Sequence, residues 1–124
     1  MASTVDSLTF DCRDPGSVAV FWCAALGYEI AEIDEEGADL RDPRGEGWRM
    51  LFLVVPERKS VKNRVHLDLR PPRSMAEEVE RLRGHGATDV RFVQVQDSFW
   101  TVMQDPEGNE FCVLRGPDDG WEPA

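Results

Sequence analysis

The sequence predicts an α+β fold made of two βαβββ modules in tandem. Three observations carry that expectation. A strand-period alternation opens each half, a helical stripe ending in glycine follows it, and an Asp-Pro-x-Gly turn precedes the last strand of each half. Leu8, Phe10 and Gly27 recur as Leu67, Leu69 and Gly86 with an offset of 59, and the turn recurs with an offset of 63. Neither half alone can bury a sheet face, so the two complete one another.

In the first half, Leu8, Phe10 and Cys12 alternate with Thr9, Asp11 and Arg13, the period of a half-buried strand. The cluster Asp14-Pro15-Gly16-Ser17 stops that strand and opens a helix capped by Asp14 or Ser17. Val18, Phe21, Trp22, Ala25 and Leu26 form its apolar stripe, and Gly27 ends it. Strands are expected over Tyr28 to Ile33 and Ala38 to Asp42. The turn Asp42-Pro43-Arg44-Gly45 then leads into Trp48 to Val55, the most apolar strand in the chain.

The second half repeats this order. Val65, Leu67 and Leu69 alternate with His66, Asp68 and Arg70 until Pro71-Pro72 breaks the strand. Ser74 caps a helix whose stripe is Met75, Val79 and Leu82, ending at Gly84 and Gly86. Strands follow over Val90 to Gln96, Phe99 to Gln104 and, after Asp105-Pro106-Glu107-Gly108, Glu110 to Leu114. One domain over 1–124 is expected, with module one at about 7–56, a polar linker at 57–63, module two at about 64–115 and an irregular tail at 116–124.

Composition narrows the function. Hydrophobic residues make up 41% and charged residues 31%, the balance of a chain that folds. Lys and Arg number 14 against 24 Asp and Glu, a formal charge of -10 that repels phosphate backbones and anionic membranes and favours a cationic ligand. Nucleic acid and membrane are therefore not expected as partners. Cys12, Cys23 and Cys112 form no CxxC pair, and an odd number leaves at least one thiol free, which indicates a reducing, cytoplasmic compartment. No apolar run approaches the roughly 20 residues that span a bilayer, and Met1 to Ser7 lack the basic and apolar stretches of a secretory signal.

Four segments in order resemble the glyoxalase, bleomycin-resistance and extradiol-dioxygenase superfamily, the vicinal oxygen chelate proteins, and most closely its glyoxalase-like branch. They are Phe10-Asp11-Cys12-Arg13-Asp14-Pro15, Ala19-Val20-Phe21-Trp22 with Leu26-Gly27-Tyr28, Lys62-Asn63-Arg64-Val65-His66-Leu67-Asp68-Leu69, and Asp105-Pro106-Glu107-Gly108-Asn109-Glu110. The resemblance spans nearly the whole chain. It implies paired βαβββ modules whose mixed sheets curl into a cup around a ligand. Catalytic members hold a divalent metal there through His or Glu side chains, from the first and last strands of both modules; other members bind drugs without metal, so the fold leaves the function open.

At those positions this chain has Ser7, His66 and Cys112, and Arg49 to Val55 supplies no carboxylate or imidazole. A catalytic divalent site wants at least three protein ligands. No metal and no cofactor are therefore expected. Strand period turns His66, Asp68 and Arg70 to one side, and the repeat turns Ser7, Thr9 and Asp11 to the matching side. Glu110, Cys112 and alternate members of Trp48 to Val55 and Phe99 to Met103 complete the wall. His66 and Asp68 are the candidate general base and its partner. Asp11, Thr9, Arg70, Trp48, Trp100, Glu110 and Cys112 are the candidate ligand contacts, with the tryptophans offering stacking surfaces. The competing reading makes His66 part of a structural polar network.

The reading favoured by these residues is a metal-independent small-molecule binding protein of the bleomycin-resistance type. The alternatives are a lyase or isomerase using His66, a divalent-metal enzyme of the same superfamily, and an accessory protein with a vestigial cup. A homodimer is expected, with the short strands of Tyr28 to Asp42 as an edge that gains from cover.

Overall fold

A computed structural model describes all 124 residues. The chain forms two compact units, Met1–Lys59 and Ser60–Ala124. Each is a four-stranded mixed sheet with one helix on it.

In the first unit, β1 (Ser7–Cys12) leads into α1 (Pro15–Leu26), followed by β2 (Glu29–Ile33), β3 (Gly37–Arg41) and β4 (Arg49–Val54). The sheet order is β1-β4-β3-β2, with β1 and β4 parallel and the other pairs antiparallel. Asp14 caps α1 by accepting the Ser17 N–H at 3.2 Å, and Pro15 fills the first helical position, where no amide hydrogen is needed. Gly27 closes the helix at φ 69°, donating to the Cys23 carbonyl at 2.9 Å. Register pairs Leu8 with Met50 and Phe10 with Phe52, so one face of the sheet is apolar. Phe10 lies 6.0 Å from Trp22 and 5.2 Å from Phe52 between ring centroids, which locks that face to α1. The opposite face carries Ser7, Thr9, Asp11, Asp39 and Arg49.

In the second unit, β5 (Asp68–Leu69) precedes α2 (Met75–Gly84), then β6 (Thr88–Val95), β7 (Ser98–Gln104) and β8 (Glu110–Leu114), in the order β5-β8-β7-β6. Val79, Leu82, Met103, Phe111 and Val113 are buried on the helix side. Both Asp-Pro-x-Gly turns are held by their aspartate. Asp42 accepts the amides of Arg44, Glu46 and Gly47, and Asp105 accepts those of Glu107 and Asn109.

Three details differ from the expectation. The strand anticipated over Val65 to Arg70 pairs with β8 only at Asp68 and Leu69, and Val65 is exposed. The Asn63 side-chain amide donates to the carbonyls of Val65 and Glu110, at 3.2 and 3.1 Å, and so occupies acceptors that a longer ladder would use. Trp48 precedes β4 and lies exposed, with its carbonyl accepting the Tyr28 hydroxyl at 2.9 Å. The tail is ordered: residues 117–119 form a 3-10 turn, and Asp119 Oδ2 accepts the amides of Met75 at 2.7 Å and Gly116 at 2.9 Å. Asp119 thereby caps α2 from a distance, beside Ser74, whose hydroxyl accepts the Glu77 amide at 3.1 Å.

Candidate functional site

The helix-free face of the second unit gathers the densest set of chemically capable side chains. Parallel pairing sets Asp68 beside Cys112, and antiparallel pairing sets Val102 against Cys112 and Trp100 against Leu114. Alternation then turns Asp68, Glu110, Cys112 and Trp100 to the same face, away from the Phe111 and Val113 side that meets α2.

His66 stands just before β5. Its Nδ1 lies 3.0 Å from Asp68 Oδ1 and 3.9 Å from Cys112 Sγ. The His66 and Asp68 side chains are 47% and 49% exposed, so a ligand can reach both. Cys112 is buried. Burial and the adjoining Asp68 carboxylate push its thiol up to about 11, with Arg91 and Lys62 pulling weakly the other way. At neutral pH this sulfur is a thiol, which makes it a poor nucleophile. Geometry agrees: Asp68 and Cys112 both address Nδ1, whereas a nucleophile–base–orienter relay needs them on opposite ring nitrogens.

Around this trio, Glu110 forms an ion pair with Lys62 at 3.0 Å. Asn63 Oδ1 is buried and takes no protein donor, although its amide nitrogen is doubly used. Arg70, expected beside His66 and Asp68, is committed to the tail. It donates to the Arg115 carbonyl at 2.7 Å, and its guanidinium carbon sits 4.1 Å from the Trp121 ring centroid.

Thr9 and Asp11 are exposed on the helix-free face of the first unit. The chief feature of that face is Asp39, which accepts two hydrogen bonds each from Arg49 and Arg41, all between 3.0 and 3.2 Å. These bonds hold its carboxyl at about 2. An open pocket of about 230 Å³ beside it is lined by Glu32, Asp34, Glu36, Asp39, Leu51 and Leu53. Sequence reading missed this network; the signal for it was Asp39 and Arg41 two apart on one strand, within reach of Arg49 on the next. It also missed Asn63 and Lys62 as parts of the second unit's site.

The ligand set implied by the superfamily resemblance does not fit. Ser7 and Arg49 to Val54 give the first unit no metal ligand at those positions. The second unit offers one nitrogen, one oxygen and one sulfur, from His66, Asp68 and Cys112.

The profile of the glyoxalase-like domain matches residues 7–114, which is most of the chain. The chain belongs to the glyoxalase-like domain family. Solved structures with the same fold include a glyoxalase/bleomycin resistance protein/dioxygenase family enzyme from Burkholderia phytofirmans PsJN, 16% identical, TM-score 0.70, covering 88% of this chain and 95% of that one. A mutant of the fosfomycin resistance protein FosX from Listeria monocytogenes, complexed with manganese(II) and a dihydroxypropylphosphonic acid, is 15% identical, TM-score 0.73, covering 94% and 92%. Lactoylglutathione lyase from Agrobacterium tumefaciens is 14% identical, TM-score 0.64, covering 98% of each chain. No curated protein sequence matches. At these identities the likeness establishes the glyoxalase-like fold, and one of these structures, that of FosX, holds manganese(II).

Proposed function

We propose that this glyoxalase-like protein binds a small organic molecule carrying a cationic or hydrogen-bond-donating group, and does so independently of a metal. The observation that carries this reading is the half-exposed His66–Asp68 pair on the same face as the half-buried Trp100. The carboxylate attracts a positive group, and the indole offers a surface on which a planar or cationic body stacks. The formal charge of -10 steers such ligands inward. Glu110, paired with Lys62, adds a second carboxylate on the same face. Three free cysteines support a cytoplasmic setting.

A second reading is favoured by one contact. Asp68 on Nδ1 fixes the imidazole and leaves Nε2 without a protein partner, the arrangement of a general base in a lyase or isomerase.

The chain has two histidines, His66 and His85, which gives a built-in control. In an NMR titration with a panel of small organic cations, a true ligand shifts the His66 imidazole resonances and leaves those of His85, at the end of α2, in place. Asp68→Asn should weaken that response. A panel that moves neither histidine, or moves both equally, contradicts the proposal.

A further inference from the structure

We infer that Asn63 is the positioning residue of this site: its side-chain amide fixes His66 with Nδ1 on Asp68, which makes Nε2 a hydrogen-bond acceptor and selects protonated amines over quaternary ammonium ions. The ligand class rests on the binding proposal above, while the orientation of His66 is read without any ligand.

A rung that the ladder does not make is the starting point. Where β5 pairs with β8, the Cys112 amide donates to the Leu67 carbonyl at 2.9 Å. Two residues earlier, the same parallel pattern would use the Val65 and Glu110 carbonyls as acceptors, but the pairing stops at Asp68. Asn63 takes both carbonyls instead, its amide nitrogen donating to Val65 at 3.2 Å and to Glu110 at 3.1 Å. The two hydrogens of one NH2 group serve one carbonyl each. A reversed amide would set its oxygen against two carbonyl oxygens, so the orientation follows from the partners.

His66 therefore stands between two held neighbours, Val65 through Asn63 and Leu67 through Cys112. That restraint keeps its Nδ1 3.0 Å from Asp68 Oδ1 at a residue the ladder does not reach. With the Nδ1 proton on the carboxylate, a neutral imidazole carries its lone pair on Nε2. A protonated amine offers both the positive charge that Asp68 attracts and a hydrogen for Nε2. A quaternary ammonium offers the charge alone. One hydrogen bond to a charged donor sustains a preference of roughly tenfold or more.

The test compares the full-length wild type with Asn63→Asp, which keeps the shape and has no hydrogens to donate, and with Asn63→Ala. Long-range proton–nitrogen NMR without ligand should show the neutral His66 imidazole mainly as the Nδ1–H tautomer in wild type. In both variants the ratio of Nδ1–H to Nε2–H should fall by roughly tenfold. Ser74→Ala, which weakens the same unit by removing a helix cap, should leave that ratio in place, so a fall in the Asn63 variants is not a general loss of stability. Benzylammonium should bind wild type roughly tenfold more tightly than benzyltrimethylammonium, followed at the His66 resonances, and Asn63→Asp should lose the preference. A wild-type imidazole that favours Nε2–H, a ratio unchanged in either folded Asn63 variant, or an equal fall in Ser74→Ala would overturn the positioning role. Circular dichroism checks folding; if neither Asn63 variant folds, wild type decides, since rapid solvent exchange of the Asn63 amide hydrogens would also overturn it. Equal affinity for the two probes would overturn the amine class and leave the binding proposal standing. Binding of neither probe would overturn the amine class and the binding proposal together, with the tautomer ratio still deciding the role of Asn63.

Discussion

Asp39 shows how much one carboxylate can organise at the residue scale. Held by Arg49 and Arg41, it keeps its carboxyl at about 2, against an ordinary value of 3.8. The unfolded chain therefore takes up the proton first as pH falls. Its contribution to stability is complete above about pH 4 and fades between there and about pH 2. Chemical unfolding of wild type and Asp39→Asn across that range should show the gap between them narrowing as the solution becomes more acidic. A constant gap would mean that the bonds to Arg49 and Arg41 contribute nothing specific to the charged form. Asp42 has a similarly low value, from the Arg44 amide and guanidinium and the Gly47 amide, so part of the acid sensitivity will remain in the variant.

Among the elements, α2 is the one whose start depends on chain far away. Ser74 and Asp119 cap different amides of its first turn, Glu77 and Met75 respectively. Ser74→Ala and Asp119→Ala should each cost about 1 kcal/mol, the usual loss for a cap, measured by denaturant unfolding. Asp119→Ala should in addition loosen the tail, because the same oxygen holds the Gly116 amide. A neutral Asp119→Ala would contradict the capping role. Ser74 was legible in the sequence because a local cap follows its helix by fixed spacing. Asp119 was not, because its partner lies 44 residues away. The same division runs through the fold. Period-two alternation located β1, an apolar run located β4, and the Asp-Pro-x-Gly turns marked the approach to β4 and β8. Alternation overextended β5, since it cannot see the Asn63 side chain occupying the carbonyls of Val65 and Glu110. It placed His66, Asp68 and Cys112 on a common wall, yet pairwise register was needed to bring them within a few ångström of one another. It also assigned Arg70 to that wall, which the tail's Trp121 and Arg115 claim instead.

At the scale of the whole molecule, membership in the glyoxalase-like family covers residues 7–114, and no helix is long and apolar enough to cross a membrane. Two edge strands carry exposed apolar side chains, Ile30 and Ile33 on β2 and Phe92 and Val95 on β6. Cover for such edges is what a homodimer supplies. Sedimentation at high micromolar concentration should give about twice the chain mass of 14.0 kDa, and a mass equal to one chain would contradict dimerisation. The functional claim centres on His66, and one variant separates its two possible roles. If His66 and Asp68 anchor a ligand, His66→Ala should lose affinity for the compound identified by the histidine-resolved titration. It should keep most of its unfolding free energy, because the side chain is about half exposed and little apolar volume is removed. If the pair is a structural network, the same change should cost roughly 1–3 kcal/mol of stability from stranded partners and leave affinity untouched. Affinity and unfolding free energy measured together on His66→Ala are the most direct test: weakened binding with stability retained is the expected result, and unchanged binding with a large stability loss would contradict it.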